Sequence, residues 1–157
     1  MARARRLLMV CTANICRSPM AEGWARHVSD RSGTPALVRS GGVMGLIDRP
    51  ADPLAIKVMA ELGVDIGGHR SRGVSEDDLR WADHTLVMEM RHRTQLLERY
   101  PWAIDKVLLL GQFGGQHELA DPVGGWRWRF RKSRDAITRC VDGYFTMAPP
   151  PADDAER

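Results

Sequence analysis

The residues with the most chemical capacity lie in one short run, Cys11-Thr12-Ala13-Asn14-Ile15-Cys16-Arg17-Ser18-Pro19. A thiol opens it and a guanidinium nearly closes it, the pairing needed to attack an oxyanion and hold its charge. A free thiol has a pKa near 8.5, and a helix N-terminus with an adjacent arginine lowers it to roughly 3.5–7.5. Cys11 is therefore a candidate nucleophile, and Ser18 could donate its hydroxyl to the thiolate. Arg17 can grip two oxygens of one anion with parallel hydrogen bonds. Thr12, Ala13, Asn14, Ile15, Cys16, Arg17 and Ser18 would together bind the substrate anion, holding the charge that spreads over a transferring phosphoryl group. A phosphate monoester also needs an acid for its leaving oxygen. Asp121, in Leu119-Ala120-Asp121-Pro122-Val123-Gly124-Gly125, precedes a proline, which favours an extended backbone and can hold the carboxyl clear of its loop. It would protonate the leaving oxygen and then activate water against a phosphocysteine.

The elements on either side suit this chemistry. Leu7 to Val10 is an apolar run that reads as a buried strand. Ser18 and Pro19 suit the N-cap and first position of a helix. Met20, Ala21, Trp24, Ala25 and Val28 then recur along one face of it. A loop between such a strand and helix turns its N–H groups and the positive end of the helix dipole toward one spot. Further strands are expected over 36–43, 85–88 and 107–110. Asp52-Pro53 should start a helix that buries Ala55, Val58, Met59 and Leu62 and stops at Gly63. Ser75 with Asp78 resembles a capping box. A helix over 91–100 is stopped by Pro101, and a last helix turns Phe130, Ile137, Val141 and Phe145 inward. Residues 111–125, with five glycines and one proline, form a long loop of the kind that is often functional. The alternation of strands and helices argues for an α/β fold with a parallel sheet.

The chain has 157 residues, 43% hydrophobic and 27% charged, which are ordinary globular values. One domain over 1–148 is expected, with the proline-rich, charged stretch 149–157 disordered. A net charge of +3 suits an anionic substrate and is too small to argue for nucleic acid. No window approaches a membrane span, and the basic N-terminus lacks an apolar stretch long enough for a secretory signal. Three cysteines make neither a disulfide framework nor a metal site, so a reducing, cytoplasmic setting is expected. Cys16 is a candidate redox partner for Cys11, able to trap a sulfenic acid as a disulfide.

In order along the chain, Val10 to Gly23, Ser40-Gly41-Gly42, Pro50-Ala51-Asp52-Pro53, Gly68-His69-Arg70-Ser71-Arg72 and Asp121-Pro122 resemble the signature of low-molecular-weight protein tyrosine phosphatases. The resemblance implies a four-stranded parallel sheet flanked by helices on both faces, with the phosphate-binding loop between strand 1 and helix 1. It implies no metal or organic cofactor, and a phosphorylated protein, including a tyrosine kinase, as partner. It assigns Cys11 as nucleophile, Arg17 as clamp and Asp121 as general acid. Asn14, Ser18, Ser40 and His69 would support the loop through hydrogen bonds.

This chain departs from the family pattern in places. Ala13 stands where many members have glycine. The aromatic residue after strand two is absent from Val43-Met44-Gly45-Leu46-Ile47, and Val123-Gly124-Gly125 replaces the tyrosines that often follow Asp-Pro. Trp126 or Trp128 is a candidate substitute for the missing wall, or else packs in the helix. The Asp-Pro-x-Gly-Gly ending and Lys132-Ser133-Arg134-Asp135 resemble a bacterial branch that includes protein arginine phosphatases. Ile15 resembles the tyrosine-specific members, and it carries more weight here because it would sit in the loop itself. Phosphotyrosine hydrolysis is thus the leading expectation and phosphoarginine hydrolysis the alternative. A non-catalytic anion- or nucleic-acid-binding module is a third reading, prompted by five basic residues among three aromatics over 126–134. The helical spacing there also fits an apolar side that packs and arginines that stay solvated. Arsenate reduction would need a further cysteine pair, and only Cys140 remains.

Overall fold

The computed structural model describes residues 3–148, so the expectation for 149–157 lies outside them. Four parallel strands, β1 (Arg5–Cys11), β2 (Ala36–Gly42), β3 (His84–Val87) and β4 (Val107–Leu109), form one sheet in the order β2-β1-β3-β4. Five α-helices connect and close it: α1 (Arg17–Ser32), α2 (Pro53–Ala60), α3 (Glu76–Trp81), α4 (Met90–Arg99) and α5 (Arg127–Met147).

β1 lies between β2 and β3, and the chain leaves it in one direction to reach β2 and lies on its other side at β3. The crevice at the C-terminal ends of such strands is where open parallel sheets bind ligands. The strands alternate between two cores. Leu7 and Met9 face a cluster with Met20, Ala55, Met59, Phe130, Ile137 and Tyr144 from α1, α2 and α5. Leu8 and Val10 face Leu79, Val87 and Leu96 beside α3 and α4. Both faces are therefore covered by helices, and β1 reads as a continuous apolar run for that reason.

Local sequence explains most boundaries. Asp52 accepts from Leu54 N at 2.9 Å, with Pro53 opening α2. Ser75 and Asp78 form the capping box that starts α3. Of the face read for α2, Ala55, Val58 and Met59 are buried, whereas Leu62 lies half-buried in the turn beyond Ala60. One long-range approach depends on a missing side chain: a Cβ on Gly143 would collide with the carbonyl of Phe113, in the 3-10 turn Leu110–Gly114. That glycine lets α5 lie against the turn leading to the long loop.

The start of α1 differs from the sequence reading. The N-cap is Cys16, and Ser18 and Pro19 sit inside the first turn. The Ser18 hydroxyl is not taken by helix N–H groups because the side chains of Cys11 and Asn14 occupy it. The stretch 126–134 also differs: Phe130 is buried, but Trp126 and Trp128 are exposed and do not pack. Nor are all its arginines simply solvated. Arg131 and Arg134 both bind the carboxylate of Glu61 and tie α5 to the end of α2, and Arg134 also donates to Val58 O at 2.8 Å.

Candidate active site

The loop after β1 is held from outside by its own carbonyls. Val43 N donates to Cys11 O at 3.0 Å, Met44 N to Thr12 O at 2.9 Å and Asp52 N to Ile15 O at 2.8 Å. His69 Nε2 donates to Asn14 O at 2.7 Å. With the carbonyls turned outward, the N–H groups of Thr12, Ala13, Asn14 and Ile15 have no protein acceptor among the described residues. Successive unpaired N–H groups in a concave turn form an anion-binding nest. Gly42 passes directly behind the loop, where a Cβ would lie 2.6 Å from Thr12 O and 3.0 Å from Ala13 C. Only glycine fits there.

Asn14 locks the loop. It is fully buried and has φ of 60°, a left-handed conformation that asparagine tolerates better than most residues. Its Nδ2 donates to Ser18 Oγ at 2.7 Å and to Ser40 Oγ at 2.9 Å, and its Oδ1 accepts from Arg72 N at 3.1 Å. Ser40 in turn donates to Glu22 Oε1, and His69 Nδ1 lies 3.8 Å from the same oxygen. The polarity follows from the donors. An amide N–H can only donate, so Ser18 Oγ accepts from Asn14 and its own hydrogen is left for Cys11 Sγ, 2.9 Å away. The Ser18 hydroxyl hydrogen is thereby aimed at the Cys11 sulfur. The Cys16 pKa is pushed strongly upward, first by burial and then by the charges of Asp52 and Asp121, so it stays a thiol.

Arg17 is 1% exposed. Its Nη1 donates to Glu89 Oε2 and to Leu119 O, both at 2.7 Å. Its Nη2 has longer contacts, 3.4 Å to Thr12 Oγ1 and 3.5 Å to Asp121 Oδ2. Its Nε is buried without a partner. A buried guanidinium edge with unmatched donors is costly unless an acceptor meets it, and a bidentate oxyanion is the acceptor that fits. Asp121 also accepts from Val123 N at 3.0 Å, a turn that keeps its second oxygen beside Arg17.

The structure thus brings Cys11, Arg17, Asp121, Asn14, Ser18, Ser40 and His69 into one constellation. Sequence reasoning missed Glu89, Arg91, His92, Glu22 and Arg72. Glu89 follows a buried strand at the same end of the sheet as the Cys11 loop, and that position was the available signal. Among the described residues no group of three or more His, Cys, Asp or Glu side chains is arranged to hold a metal. No helix among them is long and apolar enough to cross a membrane.

A parallel α/β sheet whose first strand ends in a thiol-headed oxyanion cradle, with arginine and aspartate beside it, defines a cysteine-dependent phosphatase. The chain belongs to the low molecular weight phosphotyrosine protein phosphatase family, whose model matches residues 6–148. It is 39% identical over 132 residues to the low molecular weight protein-tyrosine-phosphatase Etp of Escherichia coli, covering 83% of this chain and 81% of that protein. It is 36% identical over 139 residues to a protein-arginine-phosphatase of Geobacillus stearothermophilus, covering 87% and 91%. Among solved structures, the low molecular weight protein tyrosine phosphatase of T. tengcongensis superposes with a TM-score of 0.87 at 34% identity, covering 91% of this chain and 99% of that one.

Proposed function

We propose that this chain, as a single domain over residues 1–148, hydrolyses phosphotyrosine in proteins through a phosphocysteine intermediate. The observation that carries the reading is the Ser18 hydroxyl 2.9 Å from Cys11 Sγ, at the start of a loop with unpaired N–H groups. The Cys11 thiolate attacks phosphorus as the bond to the tyrosine oxygen breaks, and Asp121 gives its proton to that oxygen. Arg17 and the loop amides hold the three equatorial oxygens. Water then attacks phosphorus, giving a proton to Asp121, and the phosphorus–sulfur bond breaks to release phosphate and restore the thiolate. Asn14, Ser18, Ser40 and His69 maintain the loop.

The physiological partner in this reading is a phosphorylated protein, with a tyrosine kinase as one such substrate. The exposed side chains available to wall the cleft are Met44, bonded beside Thr12, Val123, after Asp121, and Trp128, which lines a pocket with Asp121 and Pro122. A cytoplasmic setting belongs to the same proposal, since Cys11, Cys16 and Cys140 are all free and buried. Under peroxide, a Cys11 sulfenic acid would condense with the Cys16 thiol, releasing water and forming a disulfide that blocks the nucleophile.

Phosphoarginine hydrolysis is the second reading, favoured by the similarity to a protein-arginine-phosphatase and by Val123-Gly124-Gly125 in place of the tyrosines that often follow Asp-Pro. The test is hydrolysis of matched phosphotyrosine and phosphoarginine peptides by wild type, Cys11→Ser and Ile15→Thr. Phosphotyrosine turnover that Cys11→Ser abolishes supports the main reading. Preference for phosphoarginine in the wild type supports the second. No turnover of either peptide by the reduced protein refutes both and favours an anion-binding module.

A further inference from the structure

Beside Thr12, the first turn of α4 places a histidine that phosphoryl transfer through Cys11 does not use. His92 is fully buried. Its Nδ1 accepts from Glu89 N at 3.1 Å, and because a backbone N–H can only donate, Nδ1 carries no hydrogen. The proton therefore sits on Nε2, which donates to Thr12 Oγ1 at 2.9 Å. Burial first, then the neighbouring Arg17 and Arg91, hold the imidazole pKa down to about 4 against the opposing Glu89 and Asp121. The ring is neutral at ordinary pH.

Thr12 receives more than this one bond. Arg91 Nη2 donates to Thr12 Oγ1 at 2.6 Å, and Arg17 Nη2 lies 3.4 Å from it. A hydroxyl oxygen has two lone pairs, and His92 and Arg91 fill both. The hydrogen of Thr12 is then the one polar group left to this side chain, and it has no acceptor in the protein among the described residues. The same first turn of α4 anchors the clamp, because Glu89 Oε2 accepts from both Arg17 Nη1 and Arg91 Nη2.

We propose that His92 is a positioning residue: by donating to Thr12 and capping Glu89, it turns the Thr12 hydroxyl into a donor for the bound phosphoryl group and fixes the Arg17 clamp. The Thr12 bond should matter most in the transition state, when charge on the phosphoryl oxygens is redistributed. This inference rests on the phosphatase reading, but its test does not need turnover.

The experiment measures vanadate and phosphate affinity by calorimetry for wild type, His92→Phe, His92→Gln, Thr12→Val and the His92→Phe/Thr12→Val double variant. One hydrogen bond to a charged group corresponds to roughly a tenfold to hundredfold change in affinity. Loss of vanadate affinity in that range is expected for His92→Phe and for Thr12→Val, with a smaller loss for phosphate. Gln carries a donor without titrating, so His92→Gln should recover most of the vanadate affinity. In the double variant the losses should not add, because both act through one hydroxyl. Where peptide turnover is measurable, His92→Phe should lower kcat more than it raises KM. Additive losses, or His92→Gln as weak as His92→Phe, would overturn the inference even if the enzyme is active. Absent turnover with the expected vanadate pattern would instead refute only the phosphatase reading. If His92→Phe fails to fold, Thr12→Val and His92→Gln still decide the matter: unchanged vanadate affinity in Thr12→Val refutes a donor role for Thr12.

Discussion

Replacing Asn14 with alanine removes one side chain that performs three tasks at once. It deletes the hydrogen bonds to Ser18 Oγ, Ser40 Oγ and Arg72 N, each contributing about 0.5–1.5 kcal/mol net. It also leaves alanine at φ of 60°, a left-handed conformation that alanine tolerates less well than asparagine, by a few tenths of a kcal/mol, and glycine best of all. The two serine hydroxyls keep partners in Cys11 and Glu22, so the sum falls in the middle of its range, about 3–4 kcal/mol. Against a typical domain stability of about 5–15 kcal/mol, the variant should remain folded at 25 °C and be clearly weakened. Asn14→Gly loses the same bonds without the left-handed strain and should be about 1 kcal/mol more stable than Asn14→Ala. Urea unfolding followed by far-UV circular dichroism measures both. In each variant peptide turnover should fall further than the unfolded fraction explains, because Ser18 is no longer obliged to point its hydrogen at Cys11. If alanine is no worse than glycine, or either costs under about 1 kcal/mol, then neither the strain nor the network holds this loop as argued.

Three other perturbations read separate parts of the structure. Asp121→Asn should slow phosphotyrosine-peptide turnover by about 10²–10⁴-fold, with a smaller loss on an aryl phosphate whose leaving group needs no proton; equal losses in steady-state assays would rule out the acid role. Gly42→Ala forces a Cβ to within 2.6 Å of Thr12 O, so vanadate affinity should drop at least tenfold while the circular dichroism spectrum is retained, and unchanged affinity would show the loop to be pliable. Burial raises the pKa of Asp78, but hydrogen bonds from Arg72 and Ser75 outweigh it and hold the carboxyl at about 2. Its folded pKa is below its unfolded one, so its stabilisation is complete above about pH 4 and is lost as pH falls toward 2. The loss should approach 2 kcal/mol in urea midpoints collected between pH 2 and 5, and Asp78→Asn should flatten that dependence.

The sequence by itself determined what is local. The apolar run ending at Cys11, the spacing from Cys11 to Arg17, the caps at Asp52 and Ser75 and the stop at Pro101 each depend on neighbours within one or two turns of chain. Backbone sterics and side-chain chemistry act there without help from distant elements. The proline after Asp121 singled out that carboxylate, and resemblance to a family added Ser40 and His69. Tertiary structure decided what converges from separate elements. It set Asp121 3.5 Å from Arg17 and brought Glu89, Arg91 and His92 under the loop. It also withdrew Ser18 from capping by giving its hydroxyl stronger claimants in Asn14 and Cys11. It left Trp126 and Trp128 in solvent while Phe130 filled the core, although all three are aromatic residues at neighbouring positions. Periodicity reports which side of an element is apolar. Which polar partner a buried hydroxyl, imidazole or guanidinium finally meets depends on donors and acceptors delivered by other parts of the chain, and only the folded arrangement sets those distances.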